Sequence, residues 1–119
     1  MPYRVSCQYA HHDHSESEDL GTMGSADVLR RFDAFDWSRE VVDAQRLGKS
    51  APTLSVEEPA SGRLIWVSAY GDPSSMMFVS QCRLAKLELD TQDFKQGDAR
   101  RALELFMRGE DEELKALYR

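Results

Sequence analysis

Three histidines lie close together near the start of the chain, at His11, His12 and His14, and several carboxylates follow them. Imidazole and carboxylate groups are both ligands for transition metals, so this segment could bind one. Metal sites in proteins usually draw their ligands from rigid elements whose side chains are held by further hydrogen bonds, and the segment specifies no such support. We therefore predict a polar loop without a metal, and keep metal binding by these histidines as an alternative.

Catalytic patterns are absent from the rest of the sequence. A nucleophile needs a base such as histidine within hydrogen-bond reach, but every histidine lies in the one polar segment. Glu57 and Glu58 are adjacent, and adjacent residues of a strand point to opposite faces, so they do not form a converging pair of carboxylates. The sequence has no glycine-rich nucleotide loop and no His-Glu-x-x-His motif. We predict a protein that is not an enzyme and has no cofactor.

The balance of charge narrows the possible partners. The chain has 119 residues and a formal net charge of -6. Nucleic acids and anionic membranes are bound through basic surfaces, so neither is an expected partner. An acidic surface suits a basic protein partner, although it also serves solubility. Because the N-terminus lacks the apolar core of a signal peptide and no run approaches about 18 apolar residues, we expect a cytoplasmic protein.

The two cysteines, Cys7 and Cys82, both fall in predicted strands. No Cys-x-x-Cys pair is present, which argues against a structural zinc site of the finger type. We predict buried, reduced thiols, as is usual in the cytosol. A disulfide between them would require the two strands to be neighbours.

The pattern of apolar residues predicts one domain over residues 1–119. Alternation with a period of two indicates strands, and spacings of three and four indicate helices. The predicted elements, in order, are a strand over residues 3–10, a polar loop over 11–24, helices over 25–48, a β-meander over 53–89 and helices over 91–118. The expected fold is α+β, with a mainly antiparallel sheet of three to five strands and helices packed on one face.

The middle strand of the meander is apolar on both of its faces. Leu64, Trp66 and Tyr70 share one side, and the residues between them form the other. Such a strand is either central and covered on both sides, or it exposes one apolar face to a partner. The sequence leaves these two possibilities open.

Four segments carry a resemblance to a known family. They are, in order, Phe35-Asp36-Trp37 at the end of a predicted helix, residues 52–56 (PTLSV), residues 64–68 (LIWVS) and residues 102–109 (ALELFMRG). In their order and in the kinds of residues they contain, these segments resemble the bacterial toxin-immunity proteins, which are small acidic cytoplasmic inhibitors of secreted antibacterial toxins. The resemblance spans most of residues 25–119 and does not include the N-terminal strand or the histidine segment.

The resemblance implies a protein that binds a cognate toxin with a basic surface and occludes its active site or substrate groove. Interface hot spots are often aromatic residues surrounded by polar ones. The predicted partner-binding residues are Glu57 and Glu58 at the first turn of the meander, Tyr70 and Asp72 at the second, and Trp66 if its face of the middle strand is uncovered. The two aromatic residues would also fit a core, and Asp72 would also fit a turn. The expected state is a monomer or homodimer, and the alternative role is that of a non-catalytic adaptor or structural subunit.

Overall fold

A six-stranded antiparallel sheet organises the protein within residues 2–118, which the computed structural model describes. The strands are β1 (Tyr3–Gln8), β2 (Glu18–Met23), β3 (Thr53–Glu58), β4 (Arg63–Tyr70), β5 (Met77–Arg83) and β6 (Glu88–Phe94). The helices are α1 (Ser25–Ala34), α2 (Trp37–Leu47), α3 (Gln96–Arg108) and α4 (Asp111–Leu117). The predicted α+β class is confirmed, and the predicted count of three to five strands was too low.

The predicted meander forms the centre and one side of the sheet. The spatial order is β2-β1-β3-β4-β5-β6, so the four strands from β3 to β6 follow one another directly. Tight turns connect the first three of them, with Gly62 at φ 75° and Gly71 at φ 93°. These left-handed conformations cost little at glycine because it has no Cβ. The N-terminal strand β1 then pairs with β3 on the other side, in antiparallel register.

The sequence prediction missed the edge strand β2 and included only the start of the edge strand β6, within the predicted meander 53–89. The region 11–24, predicted as a loop, contains β2, and the region from 91, predicted as helical, begins with the second half of β6. An edge strand with solvent on much of its surface needs few apolar residues, and β2 has only Leu20 and Met23 partly buried. In β6 a register shift opposite Phe78 and Ser80 breaks the period of two. The predicted strand 3–10 is also shorter, ending at Gln8.

The helices cover one face of the sheet, where the core lies. Alternate residues of each inner strand are buried there, as in β4, where Ile65, Val67 and Ala69 are at most 1% exposed. The helices contribute apolar stripes to the same cluster, including Val28, Val41 and several residues of α3. Packing of these stripes against the sheet removes apolar surface from water, and we take this as the main stabilising term.

A break separates α1, which ends at Ala34, from α2, which begins at Trp37. Asp36 is the N-cap of α2, and its carboxylate accepts a hydrogen bond from the backbone N–H of Arg39 at 3.4 Å. Asp36 thus starts a second helix inside the range 25–48 in which helices were predicted, and Gly48 ends that helix in a left-handed conformation. The residue before α1 is Gly24, so no side chain caps that helix, which begins at Ser25.

Trp37, the first residue of α2, joins the helices to the sheet. Its ring is 2% exposed and lies 5.3 Å from Phe32 and 5.1 Å from Phe78, measured between ring centroids. The Phe35 ring lies beside it, tilted by 31°, with the ring centroids 4.1 Å apart. The indole N–H donates to the backbone oxygen of Phe32 at 3.0 Å, so its one polar group is satisfied. Trp37 is therefore a core residue.

Both cysteines face the core as unpaired, buried thiols, as expected. Cys7 lies on β1 and Cys82 on β5, and two further strands separate them. Burial raises the pKa of both thiols, that of Cys82 to about 12, so neither is a reactive thiolate near neutral pH.

As to membranes, none of the helices within residues 2–118 is long and apolar enough to cross a bilayer.

Candidate protein-binding face of the sheet

The face of the sheet opposite the helices is open. On β4 this face carries Leu64, Trp66, Ser68 and Tyr70, the set that alternates with the buried Ile65, Val67 and Ala69. Leu64 and Trp66 are half-buried, and Tyr70 is 40% exposed. The strand is therefore covered by helices on one side only. The question that the sequence left open is answered in favour of an exposed apolar face.

An apolar stripe runs along the middle of this open face. It consists of Leu64, Trp66, Tyr70, Met77 and Val79. In the antiparallel register Tyr70 lies opposite Met77, and Val79 lies opposite Ser68, between Trp66 and Tyr70. From Leu64 to Tyr70 the stripe is about 20 Å long, at about 3.3 Å per residue. On β4 the polar Ser68 lies within this length, and the stripe continues past it through Val79. A mainly apolar stripe of this length on a solvent-facing surface is typical of a binding site.

Hydrogen bonds to β5 and β6 hold both aromatic side chains of the stripe. The Trp66 indole N–H donates to Oε1 of Gln81 at 3.3 Å. The Tyr70 hydroxyl donates to the backbone oxygen of Gln92 at 2.5 Å, on the edge strand β6. A side chain that is already fixed loses less conformational entropy when a partner binds. The two aromatic residues are therefore preorganised for contact with another protein.

A row of charged residues crosses the sheet at one end of the stripe. Successive register pairs align five residues on the open face, one from each of the five strands β1, β3, β4, β5 and β6: Arg4, Glu57, Leu64, Arg83 and Glu88. We call this set the charged row. Arg83 contacts Glu88 at 3.5 Å, and Arg4 contacts Asp19 of β2 at the same distance. Among the described residues, Glu57 has no ion-pair partner within 4.0 Å.

A polar cleft of about 380 Å³ lies next to the charged row, on the β1 side of the stripe. It is lined by Arg4, Ser6, Ser17, Asp19, Ser55, Glu57 and Leu64. Beyond the cleft, the Gln8 side chain lies on the open face and donates to the carbonyls of Asp13, His14 and Glu16, at 3.2, 3.1 and 2.9 Å. The loop between β1 and β2 thus folds over one corner of the open face and leaves the stripe uncovered.

Three of the five predicted partner-binding residues come together on the open face. Glu57 lies in the charged row, directly opposite Leu64, while Trp66 and Tyr70 lie in the apolar stripe. Their binding of a partner stays a prediction. Because all three lie on the open face, they belong to one continuous surface. Alternation along β3 puts Glu58 on the other side of the sheet, as the argument against a converging pair of carboxylates required.

Glu58 belongs to a cluster on the helical side of the sheet, where β3 and β4 meet α3 and α4. Its carboxylate lies 3.9 Å from the guanidinium of Arg63, and both side chains are only 14% exposed. Arg63 also donates to Asp111 of α4 at 2.6 Å, and its guanidinium lies 4.9 Å from the ring centre of Phe106. These contacts tie β3 and β4 to α3 and α4. Glu58 is thus placed to hold the fold together, away from the open face.

Asp72 lies in the turn between β4 and β5. Its Oδ1 accepts hydrogen bonds from the backbone N–H of Ser74 at 2.8 Å and from the Ser74 hydroxyl at 2.6 Å. The hydroxyl hydrogen bond, followed by the backbone one, lowers the pKa of this carboxyl below its usual value. This arrangement is that of a turn residue, the simpler of the two roles considered for Asp72.

The histidine segment is held by local hydrogen bonds. His12 accepts at Nδ1 from the backbone N–H of Tyr9 at 3.0 Å, and its carbonyl accepts from the Ser50 hydroxyl at 2.8 Å. His11 and His14 are exposed. Between residues 2 and 118, no three His, Cys, Asp or Glu side chains are grouped so that they could hold a metal ion. The metal-binding alternative gains no support from this arrangement.

Sequence reasoning passed over Arg4, Leu64, Met77, Val79 and Arg83 as candidate site residues. The signal that could have found them was in β5, where Met77 and Val79 alternate with the buried Phe78 and Ser80 and are followed by the polar Gln81 and Arg83. A run that starts apolar and ends polar on one face indicates that the face reaches solvent. Matching this run to the two-sided β4 would have predicted the stripe.

The open face has the anatomy of a protein interface, with an apolar centre, aromatic residues and a charged rim. The cleft on this face is open to solvent, and the described residues include no group of three His, Cys, Asp or Glu side chains that could hold a metal ion. Searches of protein families, characterised proteins and solved structures give no match to the chain. Function is therefore inferred from the chain's own residues and their placement.

Proposed function

We propose that the protein is an immunity protein, which acts in the bacterial cytoplasm by binding a cognate antibacterial toxin and occluding its active site or substrate groove. The observation that supports this most is the apolar stripe on the open face, exposed beside the charged row. The resemblance of layout to immunity proteins supports it independently. On this proposal the protein performs no chemistry of its own, and binding alone is its function.

The stripe has the features of an interface hot spot. Binding energy in protein complexes is concentrated in a few central residues, often Trp and Tyr, that surrounding contacts shield from water. Trp66 and Tyr70 are the aromatic residues of the stripe, and hydrogen bonds already fix them. Burying a side chain of this size is worth several kcal/mol in a typical complex, enough to dominate the affinity.

The charges around the stripe favour a basic partner. On the open face, the carboxylates of Asp19, Glu57, Glu88 and Asp90 outnumber the guanidinium groups of Arg4 and Arg83. The whole chain is also acidic, with a net charge of -6. A toxin that acts on nucleic acid or nucleotides has a basic active-site surface, to which carboxylates can bind in place of phosphates. Opposite net charges would also speed association, especially at low salt.

The rigidity of the sheet suits inhibition by occlusion. The open face is formed by paired strands, so its shape does not depend on a mobile loop. A preformed surface that covers a groove excludes the substrate without any change in the toxin's catalytic residues. Inhibition should therefore be stoichiometric and reversible, with one inhibitor for each toxin domain.

The test is protection of cells from the toxin encoded beside this protein's gene. The toxic domain is expressed in a sensitive bacterium with and without this protein, and growth is measured. We expect growth to be restored only when the protein is present. Titration of the purified domain should show loss of its activity that is complete at a molar ratio of about one, as for a tight stoichiometric inhibitor.

Two results would contradict the proposed function. One is a gene neighbourhood that encodes no secreted toxin domain, together with stable association with a non-toxic protein, which would favour the adaptor role. The other is an adjacent toxin whose activity and toxicity are unchanged by this protein. A catalytically dead toxin domain serves as the matched control for growth effects that come from expression alone.

A further inference from the structure

The charged row has opposite signs at equal distances from β4. Leu64 of β4 stands at its centre, with Glu57 on one side and Arg83 on the other. One strand further out, Arg4 and Glu88 again have opposite signs. Reversing the row about β4 therefore exchanges every positive residue with a negative one. This antisymmetry is a specific property of the open face, and net acidity does not explain it.

Antisymmetry of this kind makes a surface complementary to a copy of itself. When two identical sheets meet face to face, the two-fold axis that relates them lies in the plane between them. We consider an axis that is parallel to β4 and passes directly above it. Rotation about this axis places each strand of one copy opposite the strand of the second copy that lies equally far from β4 on its other side. Glu57 of one copy then faces the second copy's Arg83, and Arg4 faces the second copy's Glu88.

We propose that the open face forms a homodimer with a second copy of the chain, about a two-fold axis that runs over β4. Leu64, Trp66 and Tyr70 lie on the axis and pack against the same residues of the second copy. The charged row contributes four ion pairs between the copies, two from each half of the row. Sheets that pack face to face lie about 10 Å apart, a gap that an arginine and a glutamate can bridge together.

The existing ion pairs of the row do not prevent this exchange. The side chains of the Arg4–Asp19 and Arg83–Glu88 pairs are all between 58% and 61% exposed. Exposed pairs of this kind contribute little to stability, so they can be remade between the copies. In the next row, Trp66 is central, Ser55 faces the second copy's Gln81, and Ser6 faces its Asp90. No like charges meet in either row.

The size of the face indicates a dimer of moderate affinity. Five strands about 4.8 Å apart and about 20 Å long give a flat area of roughly 480 Å² on each copy. The accessible surface of a corrugated face is larger than its flat area, and stable interfaces bury about 800 Å² on each partner. The dimer is therefore expected at the lower end of specific interfaces, with a population that depends on concentration.

The inference does not rest on the proposed function, since it requires no toxin. If both hold, the dimer and the toxin complex compete for one surface, and toxin binding would separate the two copies. Their tests are distinguishable. The dimer is measured on the purified protein alone, and toxin protection is measured in cells, so either can fail while the other stands.

Charge reversal across the two-fold axis tests the dimer. Sedimentation velocity is run on the wild-type protein and on Glu57→Arg, Arg83→Glu and the double variant, from about 1 µM to about 500 µM. Each single variant opposes like charges across the axis, so we expect its dimer to be weakened about tenfold or more. The double variant exchanges the charges and should dimerise like the wild type.

Mixing the two single variants gives the sharpest result. One has arginine at both positions and the other has a carboxylate at both, so we expect them to form a heterodimer although each alone is weakened. The matched control is Arg39→Glu on α2, whose side chain is 77% exposed and distant from the open face, and which should leave the dimer unchanged. Circular dichroism confirms that each variant is folded.

A wild-type protein that stays monomeric over this range would overturn the proposal. It would equally be overturned by single variants that dimerise as well as the wild type, or by a mixture in which folded single variants form no heterodimer. Loss of the dimer in the Arg39→Glu control would place the interface on the helical side and contradict the proposed axis.

Discussion

Replacement of Trp37 by alanine is expected to destabilise the protein by about 4 kcal/mol, the range for large aromatic residues in a core. The indole lies between the helices and the sheet, in contact with Phe32, Phe35 and Phe78. Its removal leaves a cavity that these rigid elements cannot close, and the carbonyl of Phe32 loses its hydrogen-bond donor. Because domains of this size are stable by only about 5–15 kcal/mol, a large fraction of the protein is expected to unfold at moderate temperature. Urea denaturation followed by circular dichroism measures the change.

The matched control for this prediction is Trp37→Phe. It keeps an aromatic ring in the core but lacks the indole N–H, so we expect a loss of about 1–2 kcal/mol, chiefly from the unpaired carbonyl of Phe32 and the reduced volume. Equal effects of the two substitutions would show that the hydrogen bond, and not packing, determines the stability at this position. A negligible effect of Trp37→Ala would contradict the described core.

Replacement of Trp66 by alanine is expected to act on binding instead of folding. The side chain is half-buried at the centre of the apolar stripe, on the face that the helices leave open. We expect affinity for the toxin domain to fall by about 2–4 kcal/mol, or roughly 30- to 1,000-fold, as for a central hot-spot residue. The loss of stability should be smaller than that of Trp37→Ala. Isothermal titration calorimetry and urea denaturation measure the two effects separately.

Leu47→Ala provides the control for Trp66→Ala. Leu47 is a large apolar residue at the end of α2, 41% exposed and on the helical side of the molecule. Its truncation removes exposed apolar surface without touching the open face, so affinity should be unchanged. If both truncations weakened binding equally, general apolar surface and not the stripe would account for the affinity. If Trp66→Ala bound as well as the wild type, the stripe would not be the hot spot.

The contrast between the two tryptophans shows what the sequence could and could not predict. Helical spacing after a capping Asp36 placed Trp37 on the apolar side of a helix, and a helix in a small protein has one such side to bury. Trp66 lies in a strand that is apolar on both faces, so periodicity says nothing about which face the helices cover. That depends on where the chain places α1 to α4 relative to the sheet, which is a tertiary property.

The edge strands and the acidic candidates illustrate a second limit. β2 and β6 are edge strands, paired with β1 and β5, so their own residues need not alternate strictly. No local signal marks β2, and only the start of β6 continues the pattern of the predicted meander. Glu57 and Glu58 are chemically identical, and only the register of β3 decides that one reaches the open face while the other pairs with Arg63. The class of fold, the meander and most helix ends could be predicted. The strand count and the shared placement of site residues required the register.

The most direct test of the central claim, that the open face is the binding surface, is the affinity of two valine-to-arginine variants for the toxin domain. Val79 lies in the apolar stripe, and Val42 is an exposed residue of α2, 44% accessible, on the opposite side of the molecule. Both substitutions introduce the same long, charged side chain at a valine. Calorimetric titration at a protein concentration below that of self-association compares them.

We expect Val79→Arg to weaken binding at least about 100-fold, because a desolvated charge and a steric obstruction would lie at the centre of the interface. Val42→Arg should bind with the affinity of the wild type, and both variants should remain folded by circular dichroism. Undiminished binding by a folded Val79→Arg, or loss of binding in Val42→Arg alone, would contradict the claim and place the partner on the helical side.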